Sequence, residues 1–134
     1  MLSDGQVISI VDDDASIRQA LDDLIGSTGL QAATFASAEE FLRSQGAQTT
    51  ACLILDLRMP GMDGRELHER LLREGHRIPV ILLTAHGDDK VRSWALRAGV
   101  TAFLGKPFDA EALLSAVEAA LLGDRSTPNT ASPR

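Results

Sequence analysis

The chain has 134 residues, of which 44% are hydrophobic, and a formal net charge of −6. This length supports one domain with its own core, and the negative charge argues against direct nucleic-acid binding, which favours a basic surface. The apolar runs are too short to cross a bilayer, and the first residues lack the pattern of a signal peptide. The single cysteine, Cys52, has no partner for an internal disulfide. Together these features predict a cytoplasmic protein that binds neither nucleic acid nor membrane.

Short apolar segments alternate along the chain with segments of helical periodicity. The predicted strands are, in chain order, Val7–Val11, Gln31–Phe35, Cys52–Leu55, Val80–Thr84 and Ala102–Leu104. A helix is predicted after each strand, centred on the apolar residues Leu21, Phe41, Leu67, Trp94 and Val117. Near-continuous apolar strands alternating with amphipathic helices indicate an α/β fold with a doubly wound, five-stranded parallel sheet.

The alternation of strands and helices continues to about residue 122, so we interpret residues 1–122 as one domain. Residues 123–134, with the sequence GDRSTPNTASPR, are rich in Ser, Thr and Pro and show no periodicity. We predict that this segment is a disordered tail or the start of a linker.

Polar residues stand at the ends of four predicted strands. Asp12 and Asp13 follow the first strand, Asp56 follows the third, Thr84 ends the fourth and Lys106 comes after the fifth. Because the carboxyl ends of parallel strands share one edge of the sheet, these side chains are expected to meet there. Two carboxylates about 4 Å apart repel by about 4 kcal/mol at an effective dielectric constant of about 20, so the cluster needs a cation. An all-oxygen site with few carboxylates suits Mg²⁺, with Mn²⁺ as a substitute.

The same cluster suits phosphoryl chemistry. Asp56 is a carboxylate that can act as a nucleophile and form an aspartyl-phosphate. Transfer of a phosphoryl group requires neutralisation of its oxygens, which Lys106 and the cation would supply, and Thr84 would hydrogen-bond one of those oxygens. A phosphate-binding site with Asp56 at its centre is therefore predicted.

Four sequence motifs carry a resemblance to a known family. They are VDDD at 11–14, DLRMPGMDG at 56–64, ILLTAHGD at 81–88 and AFLGKPF at 102–108. Taken together and in this order, over residues 6–122, they resemble the receiver domains of two-component response regulators, of the FixJ and chemotaxis type. The resemblance implies a flavodoxin-like (βα)5 receiver fold and a regulatory phosphoacceptor rather than an enzyme with turnover.

The resemblance also implies a role for individual residues. Asp56 matches the phosphoacceptor, and Lys106 matches the lysine that pairs with the phosphoryl group. Asp12 and Asp13 match the acidic pair that holds Mg²⁺ together with Asp56 and the backbone carbonyl of Arg58.

Further matches concern signal output. Thr84 and Phe103 match the switch pair, in which the aromatic ring turns inward as the hydroxyl moves towards the phosphoryl group. His86 lies near the rim of the site, where side chains tune the lifetime of the phosphate, and Lys106–Pro107 matches a peptide bond that is usually cis. The implied partners are a sensor histidine kinase and either a phosphorylation-dependent homodimer or a downstream effector.

Two other classes of protein share parts of this pattern, namely phosphatases with a covalent aspartate and flavodoxin-like cofactor binders. A phosphatase with Asp56 as covalent nucleophile would be expected to carry a second carboxylate two residues later, where this chain has Arg58. A flavodoxin-like cofactor binder is disfavoured because the chain has no tyrosine, one tryptophan and no Ser/Thr-rich loop after the first strand. Whether the receiver is free-standing or part of a longer regulator or hybrid kinase stays open.

Overall fold

The computed structural model of the chain describes residues 6–85 and 89–126. Five strands alternate with five helices along these residues. The strands are β1 (Val7–Val11), β2 (Gln31–Phe35), β3 (Thr50–Asp56), β4 (Val80–Thr84) and β5 (Ala102–Gly105). The helices are α1 (Ala15–Gly26), α2 (Ala38–Ser44), α3 (Gly64–Arg73), α4 (Asp89–Ala98) and α5 (Ala110–Ser126), and a 3₁₀ turn spans Gly46–Gln48.

The strands form one sheet in the order β2-β1-β3-β4-β5, and every neighbouring pair is parallel. The predicted doubly wound α/β fold is therefore confirmed. The strand order reverses between β1 and β3, which leaves a crevice beyond the carboxyl ends of these two strands. Asp12 and Asp56 stand at those two ends, so the topology itself brings the two carboxylates together.

Hydrophobic residues fill both faces of the sheet, because alternate residues of a strand point to opposite faces. On one face, β3 contributes Leu53 and Leu55 to a first core that includes Phe41 of α2, Leu67 of α3 and Trp94 of α4. On the other face, a second core joins residues of β3 to α1 and α5, namely Cys52, Ile54, Leu21, Leu113 and Val117. Burial raises the pKa of the Cys52 thiol to about 12, as expected for an inert core cysteine. No helix in the described part of the chain combines the length and hydrophobicity that a bilayer span requires.

Three elements differ in extent from the sequence prediction. β3 begins at Thr50 and includes Asp56, and β5 extends to Gly105. α5 continues to Ser126, past the predicted domain boundary at residue 122. Gly123 lies within this helix. A glycine costs a helix only about 1 kcal/mol relative to alanine and keeps its backbone hydrogen bond, so the helix can continue through it. The rest of the predicted tail, residues 127–134, and the predicted rim residue His86 lie outside the described residues.

Side chains at the first turns fix where the helices begin. The Ser37 hydroxyl accepts a hydrogen bond from the Glu40 amide, while the Glu40 carboxylate accepts one from the Ala36 amide. A reciprocal capping box occurs instead at the start of α3, between Asp63 and Glu66. As predicted, α5 is capped by Asp109, whose side chain accepts from the Ala112 amide.

The β3–α3 connection is unusually close to the end of β3. The amide of Gly64 donates a 2.8 Å hydrogen bond to the Leu57 carbonyl. A Cβ atom placed on Gly64 would lie 2.9 Å from the Leu57 Cα and closer still to the carbonyl oxygen of Asp56. Only glycine therefore allows α3 to start against the strand end that carries Asp56.

Gly64→Ala should lower the free energy of unfolding by about 1–3 kcal/mol, because the added methyl group must displace backbone rather than a flexible side chain. Gly26→Ala is the matched control, since a Cβ there meets nothing within 4 Å, and it should be neutral or slightly stabilising. Urea denaturation of both variants measures the difference. Equal stability of the two variants would contradict the close approach at Gly64.

Candidate functional site

Two buried carboxylates and one lysine meet at the carboxyl edge of the sheet. Asp12 is 1% exposed and Asp56 is 5% exposed. The Lys106 Nζ lies 2.9 Å from Asp12 Oδ2 and 3.4 Å from Asp56 Oδ1. The lysine, which directly follows β5, therefore bridges the ends of β1 and β3, and its charge offsets part of the repulsion between the carboxylates.

The start of α1 holds Asp12 in place. Its Oδ1 accepts a 2.9 Å hydrogen bond from the Asp14 amide, and its backbone carbonyl accepts a 2.7 Å bond from the Arg18 guanidinium. Asp14 in turn caps α1, because its side chain accepts from the amides of Ser16 and Ile17. The third aspartate of the run VDDD thus has a structural role in the helix, while Asp12 points into the site.

Asp13 completes the acidic cluster from the solvent side. Asp12, Asp13 and Asp56 each place a carboxylate oxygen within 4.8 Å of the others, and Asp13 is exposed. Three carboxylates against one lysine leave an excess of negative charge at the site. A small set of hard oxygen donors with one open side fits a six-coordinate ion such as Mg²⁺, which binds through a few carboxylates and keeps several waters.

Burial and neighbouring charges shift the pKa values of Asp56 and Lys106. Burial raises the pKa of Asp56 to about 6, and the neighbouring Asp12 charge adds to the rise. Lys106 and a hydrogen bond from the backbone of Arg58 act in the opposite direction without cancelling it. Burial opposes the charge of Lys106, yet its pKa lies above the usual value because Asp12 and Asp56 outweigh that effect.

An open cavity of about 450 Å³ lies above the strand ends. Its lining consists of Asp13, Asp14, Asp56, Arg58, Thr84, Ala85 and Lys106. Sequence reasoning placed all of these except Asp14 and Ala85 at the site. A phosphate-sized anion entering this cavity would meet the carboxylate of Asp56, the ammonium of Lys106 and the end of β4 at Thr84.

Phe103 lies outside the cavity lining but on the same side of the sheet as Thr84. In β4, Val80 and Leu82 belong to the first core, and the period of two places the Thr84 side chain on that face as well. Phe103 pairs with Leu82 and packs against the same core. The Arg92 guanidinium of α4 lies 5.0 Å from the centroid of the Phe103 ring, within cation–π range.

Two contacts of the site carry no sequence signal that would have revealed them. The Arg18 guanidinium reaches back to the Asp12 carbonyl, and Glu39 of α2 binds the loop that follows Asp56. Both side chains lie on helices, and the spacing of apolar residues in a helix identifies its buried face but not the partners of its polar side chains. The cis bond expected at Lys106–Pro107 is present.

Comparison with known proteins identifies the family. Residues 8–118 match the family model of the response regulator receiver domain, and the chain belongs to this family. It is 41% identical over 119 residues to Nodulation protein W of Bradyrhizobium diazoefficiens, covering 89% of this chain and 52% of that protein. It is 44% identical over 115 residues to Response regulator protein TmoT of Ectopseudomonas mendocina, covering 86% and 52% respectively.

The fold is also similar to that of a solved receiver structure. A structure described as FixJ-N superposes with a TM-score of 0.78 at 32% identity and covers 94% of this chain and 98% of that chain. The chain spans about half the length of the two curated relatives given above. It is therefore a receiver domain of the two-component response-regulator class, a family that is generally regulatory.

The raised pKa of Asp56 predicts that Asp56→Asn stabilises the metal-free protein. A carboxyl whose folded pKa is about 6 instead of 3.8 costs stability when ionised, fully above pH 6 and not at all below pH 3.8. The variant should gain up to about 3 kcal/mol at pH 7.5 in EDTA and lose that gain as the pH falls to 4. Urea denaturation at both pH values measures it, with Asp23→Asn on the exposed face of α1 as a control of similar chemistry. An unchanged or lower stability of Asp56→Asn at pH 7.5 would contradict the repulsion inferred here.

Proposed function

We propose that this receiver domain accepts a phosphoryl group on Asp56 from a sensor histidine kinase, in the cytoplasm and with Mg²⁺ bound. The observation that carries the proposal is the placement of Asp56. Its carboxylate lies at the floor of an open cavity, 3.4 Å from the Lys106 ammonium and within 4.8 Å of the Asp12 and Asp13 oxygens. This arrangement supports the proposal, because a carboxylate, an ammonium counter-charge and further carboxylate oxygens lie close together.

The transfer follows from these positions. An Asp56 oxygen attacks the phosphorus of a phosphohistidine, the O–P bond forms, and the P–N bond breaks. The electron pair of that bond goes to the imidazole nitrogen, which takes up a proton. Lys106 neutralises a phosphoryl oxygen, and Thr84 is positioned to donate a hydrogen bond to another.

Mg²⁺ would be held by Asp12, Asp13, Asp56 and the backbone carbonyl of Arg58. When bound, it supplies positive charge to the phosphoryl oxygens and relieves the repulsion within the carboxylate cluster. Burial of Asp12 and Asp56 supports this assignment, because the single charge of Lys106 is shared between two buried carboxylates.

The phosphoryl group would act on the rest of the domain through Thr84 and Phe103. Their side chains lie on the same face of neighbouring strands, because Leu82 is the partner of Phe103 and Thr84 stands two residues further along β4. Movement of the Thr84 hydroxyl towards the phosphoryl group would open space on this face for the Phe103 ring. Phosphorylation would thereby shift the equilibrium between two states of the α4–β5–α5 surface.

The output proposed for this surface is a phosphorylation-dependent homodimer or contact with a downstream effector. The relatives named above are about twice as long as the aligned segment. Of these two outputs, the dimer can be tested directly with this domain.

Intact-mass measurement after incubation with acetyl phosphate tests the phosphoacceptor directly. The wild-type protein should gain one phosphoryl group in the presence of Mg²⁺ and little or none in EDTA. Asp56→Asn should gain none, because the amide is not a nucleophile, whereas the Asp23→Asn control should behave as wild type. Phosphorylation of Asp56→Asn to the wild-type level would disprove the assignment of the phosphoacceptor.

Light scattering of the phosphorylated protein tests the switch. The wild type is expected to move from monomer towards dimer mass on phosphorylation. Thr84→Ala should still be phosphorylated on Asp56 but should stay monomeric, because the hydroxyl that couples the phosphoryl group to Phe103 is gone. Thr101→Ala, an exposed threonine at the opposite end of β5, should dimerise as wild type does. An unchanged mass of the phosphorylated wild type would rule out the dimer as output.

A further inference from the structure

The loop that joins β3 to α3, residues 57–63, is fixed at both ends. At its start, the Leu57 carbonyl accepts the 2.8 Å hydrogen bond from the Gly64 amide. At its end, Asp63 takes part in the capping box with Glu66. Arg58 lies near the start of this loop, and its backbone hydrogen-bonds the Asp56 carboxylate. The position of the loop therefore decides where the backbone of Arg58 stands relative to the nucleophile.

The middle of the loop is held by a residue from another part of the chain. Glu39, in the first turn of α2, accepts a 2.9 Å hydrogen bond on its Oε2 from the amide of Met62, 23 residues away. Gly61 has φ of +74°, and a Cβ atom there would lie 2.7 Å from the same Oε2. The loop backbone thus bends around the carboxylate in a conformation that suits glycine.

The adjacent Glu40 provides a natural contrast. Its carboxylate accepts a hydrogen bond from the Ala36 amide, within the same helix start rather than from the loop. The Met62 hydrogen bond is also the main reason that the pKa of Glu39 lies below its usual value. The ionised carboxylate is therefore the form that binds the loop, as in other charge-assisted hydrogen bonds to backbone amides.

We propose that Glu39 is a positioning residue that fixes the β3–α3 loop so that the Arg58 backbone stays in place beside Asp56 and the metal ligands. The expected effect on metal binding rests on the proposed function, whereas the contact between Glu39 and Met62 is independent of it. Without Glu39, the loop would lose the hydrogen bond at the Met62 amide and would be held by its two ends and by the packing of Met59 and Met62 against the first core. Local opening of such a segment would lower the fraction of molecules in which the backbone ligand is ready.

Mg²⁺ titration by calorimetry tests the consequence with three variants. Glu39→Ala should weaken Mg²⁺ binding about tenfold, the range found when a residue that orients a metal ligand is removed. Glu39→Gln should restore part of the affinity, because its side-chain carbonyl still accepts the Met62 hydrogen bond. Glu40→Ala, which removes the same charge and one backbone hydrogen bond, should bind as wild type. If Glu39→Ala matched Glu40→Ala, or if Glu39→Gln were as weak as Glu39→Ala, a long-range charge effect would explain the data and the inference would be overturned.

Amide hydrogen exchange in EDTA tests the contact without any metal. The Met62 amide should exchange about tenfold faster or more in Glu39→Ala than in wild type, and Glu39→Gln should be intermediate. The Gly64 amide, bonded to Leu57, serves as an internal reference. Unchanged exchange at Met62 in Glu39→Ala would overturn the inference. A wild-type protein that binds no Mg²⁺ would contradict the proposed metal site instead, and Met62 exchange would still decide whether Glu39 holds the loop.

Discussion

The mutual repulsion of the buried carboxylates Asp12 and Asp56 is the constraint on which the rest of the site depends. The strand order brings them to adjacent strand ends. Burial is the larger cause of the raised pKa of Asp56, and the charge of Asp12 adds to it. Lys106 offsets only part of it. The site therefore favours added positive charge, and this preference is the physical basis for the proposed binding of a divalent cation. That cation and Lys106 would in turn neutralise the oxygens of a phosphoryl group.

Several close contacts from the surrounding helices support this cluster. Gly64 lets α3 begin against the end of β3, and Asp14 caps α1 while its amide orients Asp12. Glu39 reaches from α2 to the loop after Asp56. Three helices, α1, α2 and α3, thus contact the ends of β1 and β3 or the loop that follows Asp56.

Much of the architecture follows from local patterns. The apolar strand at β4 and the amphipathic spacing of α1 and α5 were sufficient to predict strands and helices, because burial of one or both faces dictates the period of two or 3.6. The predicted bounds of β3 were wrong by one or two residues, and α5 continues to Ser126. Polar or glycine residues such as Thr50 and Gly123 continue an element when its backbone hydrogen bonds persist, and the hydrophobic pattern does not report those bonds.

The sequence by itself determined the α/β alternation and, through the strand-end positions of Asp12, Asp13, Asp56, Thr84 and Lys106, which side chains share the site. Only the tertiary structure decided how they are paired. That Lys106 contacts both Asp12 and Asp56, that Arg92 stacks on Phe103, and that Glu39 binds Met62 depend on distances between elements that are remote in the chain. Periodicity fixes the face on which a side chain lies, whereas contact between faces requires the packed arrangement of the whole sheet and its helices.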